Sequence, residues 1–209
     1  MNGAPFIALE GIDGTGKSTQ CRLLAEWLRG RGFAVTECVE PGGTPLGREL
    51  RSMVLGGSWE MCRAAEVFLF MASRAELVER VIRPALTDGA AVVSDRFLLS
   101  NVVYQGHAEG GDPEAIWRLG RYATGGLEPD LSVVLDMPVE QASSRRKAEA
   151  DRIERRGAAH QEAVRQGFLA EARARPDRIR VVDAARSVEA VHQSIVREVA
   201  RVLEARARA

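Results

Sequence analysis

Eight consecutive residues, Gly11-Ile12-Asp13-Gly14-Thr15-Gly16-Lys17-Ser18, fit the pattern G-x-x-x-x-G-K-[ST] without a mismatch. They constrain the fold more than any other feature of the chain. The pattern has a mechanical meaning. Glycines let the backbone curl so that successive N–H groups point at phosphate oxygens, and a helix opening directly after the loop adds its positive dipole end. It therefore requires a buried strand before it and a helix behind it. Both are legible. Phe6-Ile7-Ala8-Leu9 is a short apolar run ending in the turn, and Leu23, Leu24, Trp27 and Leu28 recur at helical spacing until Gly30 and Gly32 end the pattern. Within the loop, Lys17 supplies a mobile positive charge for β- and γ-phosphates, and the Ser18 hydroxyl is a ligand for Mg²⁺. The chain is thus read as a binder of a nucleoside triphosphate.

The rest of the chain repeats the alternation. Phe33-Ala34-Val35 begins a second strand, and Leu46 to Leu55 reads as helical. A long helix runs from about Arg63 to Leu86, and Ala90-Ala91-Val92-Val93 is a third strand. Leu131 to Leu135 and Ile179 to Val182 give a fourth and a fifth. Val188, Val191, Ile195, Val199 and Val202 mark an amphipathic closing helix. Strands alternating with helices imply an α/β fold with a parallel sheet covered on both faces. No internal repeat, linker or low-complexity tract interrupts the 209 residues, so one domain is expected over residues 1–209.

Composition narrows the function classes. Lys plus Arg and Asp plus Glu both number 29, giving no net charge. That argues against a nucleic-acid-coating or membrane-surface protein. No run of about 18 apolar residues offers a membrane span. The opening residues lack the charged and long apolar regions of a secretory leader, so a cytoplasmic location is expected. Cys21, Cys38 and Cys62 form no disulfide framework and no metal-binding pair, and are expected to be reduced thiols. The basic residues are nearly all Arg. The two lysines are Lys17 and Lys147, the second in the polar stretch from Ser143 to Arg156.

Three further features suggest a second substrate. Asp13 puts a carboxylate beside the triphosphate; it either faces solvent or serves another ligand, such as a sugar hydroxyl. Asp95-Arg96 follows the third strand, where open parallel sheets bind ligands. An Asp there can hold Mg²⁺, and an Arg can neutralise a transferring phosphoryl group. Phe70 and Arg74, four residues apart on one helix, share a face. They are either core plus a surface charge or a platform for a nucleobase, with ring stacking and a guanidinium reaching a carbonyl.

From Glu10 through Thr19, and again at Glu40-Pro41-Gly42-Gly43-Thr44, Arg51 and Phe70-x-x-x-Arg74, the chain resembles the thymidylate kinases. The similarity continues through Asp95-Arg96-Phe97, Ser100-Asn101, Tyr104-Gln105, Pro129-Asp130-Leu131, Leu135-Asp136 and Asp151-Arg152-Ile153-Glu154. The resemblance implies a single-domain P-loop nucleoside monophosphate kinase, with a five-stranded parallel sheet and a lid at about 143–158. It implies transfer of the ATP γ-phosphoryl group to dTMP, with Mg²⁺, in a homodimer whose partners are small molecules. By resemblance, Gly11 to Thr19 hold ATP. Phe70 stacks on thymine, Arg74 meets a thymine carbonyl, Asn101 and Gln105 line the base, and Tyr104 packs against the deoxyribose. Arg51 and Arg96 hold the acceptor phosphate, and Asp13 contacts the 3′-hydroxyl. Ser18 and Asp95 are the metal candidates. Lys17, Asp95, Arg96, Arg146 and Arg152 carry the catalysis. The family places a basic residue either directly after the acidic loop position or in the lid. Here that loop position is Gly14 and the lid carries Arg145, Arg146, Lys147 and Arg152, which matches the lid-supplied type. Departures are Val39 for a frequent Arg, the order Arg48-Glu49, and Phe97 for a common Tyr. A kinase for another nucleotide or nucleoside is the alternative, as is a non-catalytic nucleotide-binding switch.

Overall fold

A computed structural model describes residues 4–56, 60–145 and 152–208. Five parallel strands form one sheet: β1 (Phe6–Glu10), β2 (Val35–Val39), β3 (Ala91–Asp95), β4 (Leu131–Asp136) and β5 (Ile179–Asp183), in the spatial order β2-β3-β1-β4-β5. The three central strands are almost wholly buried, and the two edge strands are half exposed. This explains why the central strands are continuous apolar runs: helices cover both faces, so no position alternates toward water.

The helices are α1 (Lys17–Arg29), α2 (Pro45–Arg51), α3 (Arg63–Leu77), α4 (Arg83–Thr87), α5 (Leu98–Asn101), α6 (Pro113–Ala123), α7 (Val139–Ser144), α8 (Ala158–Ala174) and α9 (Val188–Arg208). α2 starts where Thr44 caps it, its side chain accepting from Gly47 N at 2.9 Å. It runs into a π-helical turn, Ser52–Gly56, and α3 passes through another, Val78–Ile82, into α4. The long helix read from 63 to 86 is therefore one helical course with a local widening. α5 continues likewise into a π-helical segment, Val102–Ala108. The elements from 98 to 123, together with α7 and α8, are additions to the sequence reading. α8 buries Val164, Phe168 and Ala172 but also Gln161 and Glu171, so its apolar stripe is diluted. The second strand begins at Val35 rather than Phe33, because Gly32 at φ 86° still belongs to the exit from α1.

Two register facts position the site. Leu9 pairs with Asp95 across β1 and β3, and Leu9 also pairs with Val133 across β1 and β4. The loop after β1 and the residues ending β3 therefore emerge side by side at the carboxyl edge of the sheet.

Candidate active site

Gly14 has φ 90°, a backbone conformation open to glycine but strained for other residues. A Cβ placed there would lie 2.0 Å from the Ala142 carbonyl oxygen of α7. α7 thus packs directly on the loop, and a long basic side chain at this position has no room. The positive charge needed beside the phosphates must come from elsewhere. Lys17 is buried, its Nζ donating to Ile12 O at 2.9 Å and lying 3.5 Å from Asp13 Oδ1. Burial pushes the Lys17 pKa down. Ser18 Oγ donates to Asp95 Oδ2 at 2.6 Å, so the two metal candidates sit together.

Arg96 is the one non-glycine with positive φ among the described residues, at 71°. Such a conformation costs on the order of 1–3 kcal/mol and persists where surrounding bonds over-determine it. Here its N–H donates to Leu9 O at 2.9 Å and its carbonyl accepts from Ser94 Oγ at 2.6 Å. The guanidinium donates to Gly11 O at 2.9 Å, to Ser100 Oγ at 3.0 Å and to Asp13 Oδ1 at 2.5 Å. Burial alone would raise the Asp13 carboxyl, but the Arg96 and Lys17 charges beside it hold it well below the usual carboxylate range. Glu10 lies beneath this turn, fully buried, accepting from Phe97 N at 2.8 Å and from Ser100 Oγ at 2.5 Å. Burial pushes its carboxyl up to about 7 despite these bonds.

Two cavities meet at this edge. One is lined by residues 13–20 of the loop and α1, with Asp95, Arg145, Arg186 and Val188 on its far walls. The other is lined by Phe70, Arg74, Asn101, Tyr104 and Gln105, with Leu55, Phe97 and Ile153 as apolar walls. Asp13, Glu40, Arg51 and Arg96 line both. The second cavity therefore opens toward Lys17 across two arginines, as suits two anionic ligands brought end to end.

A profile of the thymidylate kinase family matches residues 9–195. A thymidylate kinase from Rhodopirellula baltica is 48% identical over 190 residues, covering 91% of this chain and 78% of that protein. One from Symbiobacterium thermophilum is 46% identical, covering 97% and 96%. The chain belongs to the thymidylate kinase family. The crystal structure of the thymidylate kinase from Ehrlichia chaffeensis superposes with a TM-score of 0.76 at 30% identity, covering 94% of this chain and 98% of that one.

Within this thymidylate kinase frame the structure places the sequence-derived residues unevenly. Phe70 and Arg74 share a face of α3, as their spacing requires, but Arg74 is among the most buried side chains of the protein. Its Nε and Nη2 donate to Glu40 Oε2 at 2.9 and 2.6 Å, and Nη2 also donates to Asn101 Oδ1. Nη1 faces the Met71 thioether at 3.2 Å, a weak acceptor that a carbonyl would outcompete. Arg51 donates to Pro41 O at 2.8 Å. Arg152 does not reach the loop: its Nε donates to Val54 O at 2.8 Å and its Nη2 to Glu66. Arg145 instead turns to the loop side, donating to Ala184 O at 3.1 Å. Arg146, Lys147 and Asp151 lie outside the described residues.

Several residues of the site escaped the sequence reading. Arg186 and Val188 follow β5, and the rule that ligands bind beyond strand carboxyl ends would have flagged them. Glu40 was visible in its Pro-Gly-Gly-Thr block without a role. Glu10 opened the loop block, likewise without a role, and Glu66 gave no signal, because a carboxylate is recognised as buried only once its partners are known.

Proposed function

We propose that this thymidylate kinase transfers the γ-phosphoryl group of ATP to dTMP in the space between the two cavities. The products are dTDP and ADP. A non-bridging oxygen of the dTMP phosphate forms the new bond to the γ-phosphorus while the bond from that phosphorus to the β,γ-bridging oxygen breaks. The acceptor oxygen is already ionised, so no general base is required, and catalysis is positioning plus charge neutralisation. The observation that carries this reading is the shared wall of Asp13, Arg51 and Arg96 between the loop cavity and the Phe70 cavity.

In this reading Gly11 to Thr19 wrap the ATP phosphates, and Lys17 leaves Ile12 O to meet the β- and γ-phosphates. Phe70 stacks on the thymine, Arg74 offers Nη1 to a base carbonyl, and Asn101 and Gln105 border the base. Tyr104 lies against the sugar and Asp13 accepts its 3′-hydroxyl. Arg51 and Arg96 grip the acceptor phosphate, with Asp95 on the loop side. Ser18 Oγ and Asp95 Oδ2 are hard oxygen donors 2.6 Å apart at the loop, a pair that would hold Mg²⁺. When bound, the ion would neutralise charge on the β- and γ-phosphates. The lid, at about 143–158, reaches both cavities through Arg145 and Ile153, and Arg146 and Arg152 are its further basic groups.

A homodimer is part of the proposal. Phe68 on α3 is 59% exposed, and α6, packed against α3, exposes Leu119 and Tyr122. This apolar area suits a second copy of the chain. No helix among the described residues is long and apolar enough to cross a membrane. Three free cysteines support a reducing, cytoplasmic setting.

The test is ADP release across a panel of nucleoside monophosphates with ATP and Mg²⁺. dTMP should be the best acceptor, and dUMP should leak through because a buried methyl is worth only about 1–3 kcal/mol. Lys17→Ala and Arg96→Ala should each lower kcat by about 10³ with the fold retained. Highest turnover on another monophosphate, or near-normal turnover in either variant, would reject the assignment.

A further inference from the structure

Glu66 lines neither cavity, yet each of its two carboxylate oxygens is engaged from a different side of the site. It sits on α3 one turn before Phe70, about 1% exposed. Oε1 accepts from Gln105 Nε2 at 2.7 Å. Oε2 accepts from Arg156 Nη2 at 3.0 Å and from Arg152 Nη2.

The Gln105 bond is the end of a relay. Gln105 Oε1 accepts from Asn101 Nδ2 at 2.8 Å, Asn101 Oδ1 accepts from Arg74 Nη2, and Arg74 closes on Glu40. Every member except Glu66 borders the base cavity. A guanidinium can only donate and an ionised carboxylate can only accept, so these two ends fix which way both amides point. The other oxygen acts on the later part of the proposed lid, through Arg152 and Arg156. Arg152 and Arg156 flank Ile153, which forms an apolar wall of the same cavity. The segment is also tied by Arg152 N to Leu55 O at 3.2 Å and by Arg152 Nε to Val54 O. Burial would raise the Glu66 carboxyl, but hydrogen bonds from Arg152 and Gln105 and the Arg156 charge hold it below its ordinary value.

We propose that Glu66 is a positioning residue: one oxygen aligns the base-facing amides, and the other clamps the Ile153 wall over the same pocket. The proposal rests on the Phe70 cavity being the dTMP site. It makes acceptor binding depend on a carboxylate that does not touch the nucleotide. A carboxylate can serve both sides because both its oxygens accept. An amide of the same shape has one acceptor. In Glu66→Gln the remaining oxygen turns toward the guanidiniums, since charge-assisted bonds are about twice as strong as neutral ones. Gln105 Nε2 then faces another NH₂ group and the relay loses its anchor.

Steady-state kinetics on wild type, Glu66→Gln, Gln105→Ala and the double variant, varying dTMP and ATP separately, tests this. Glu66→Gln should raise the KM for dTMP about five- to tenfold. The KM for ATP should change less than about twofold, as Glu40, at the far end of the relay from Glu66, is its only member that also lines the loop cavity. In the Gln105→Ala background the same change should raise the dTMP KM less than about twofold. Equal rises in both KM values, an unchanged dTMP KM, or the full penalty without Gln105 would each overturn the proposal. Should Glu66→Gln not fold, Arg156→Met reads the clamp from its less buried end: dTMP KM up about two- to threefold with ATP KM unchanged supports it, and no rise overturns it. Phe70→Ala separates the two levels of inference. If it leaves the dTMP KM unchanged, the pocket reading has failed; if it raises that KM while Glu66→Gln is silent, only the role of Glu66 has.

Discussion

Replacing Glu10 by Gln should make the protein more stable at alkaline pH and leave it unchanged near pH 4.5. Glu10 is wholly buried at the end of β1, and its pKa rises from 4.5 to about 7 on folding. A carboxyl raised in the folded state favours folding while it stays protonated. That contribution is complete below the unfolded value of 4.5 and is lost as pH climbs through the folded value near 7. At 1.36 kcal/mol per unit the loss is about 3 kcal/mol. Gln is a close mimic of the protonated acid here. Its oxygen can accept from Phe97 N, and its N–H can reach Ser100 Oγ, which already accepts from Arg96. The assay is urea unfolding of both proteins from pH 4.5 to 8, read as a difference. Asp13 and Glu66, held low in the folded state, contribute stability above the ordinary carboxylate range that is lost as pH falls, and they cancel in that difference. The variant should gain about 3 kcal/mol at pH 8, on the order of 10 °C in Tm for a chain of this length. A difference that does not vary with pH, or a variant less stable at pH 8, would refute the reasoning.

The remaining predictions concern the loop and the buried ion pair. Arg74→Met strands Glu40 in the core and should cost about 3–5 kcal/mol of stability, measured by denaturant unfolding; Glu40→Gln in the same protein should recover part of it. Gly14→Ala forces a Cβ against Ala142 O and requires φ 90° of a non-glycine. It should raise the KM for ATP on the order of tenfold and lower Tm by several degrees, about 1–3 kcal/mol of strain, with both read on the same preparation.

The sheet and the loop were legible because their signals are local. An apolar run bounded by turns reads as a buried strand whatever surrounds it, and G-x-x-x-x-G-K-S shapes its own backbone. The Phe70 and Arg74 pair was legible for a similar reason, since a spacing of four on a helix puts two residues on one face. What the spacing could not tell is how much of the Arg74 fork is already engaged. Glu40 and Asn101, 34 and 27 residues away, hold two of its nitrogens. Arg152 gives a sharper contrast. In the sequence it belongs to a basic stretch and, by the resemblance, to the catalytic arginines of the lid; in the fold it turns to a carboxylate 86 residues distant.

The sequence by itself therefore determined the α/β class, the triphosphate loop and the helix face that carries Phe70 and Arg74. Each depends on interactions within a few residues or on a periodicity of a single element. Only the tertiary structure decided that Leu9 and Asp95 pair, so that the loop and Arg96 stand together, and that α7 crowds Gly14. It also decided that Glu10 and Glu66 are buried carboxylates with opposite pKa directions. Burial and charge pairing are set by what packs from distant parts of the chain, and a carboxylate's own neighbours in sequence carry no record of which arginine will face it.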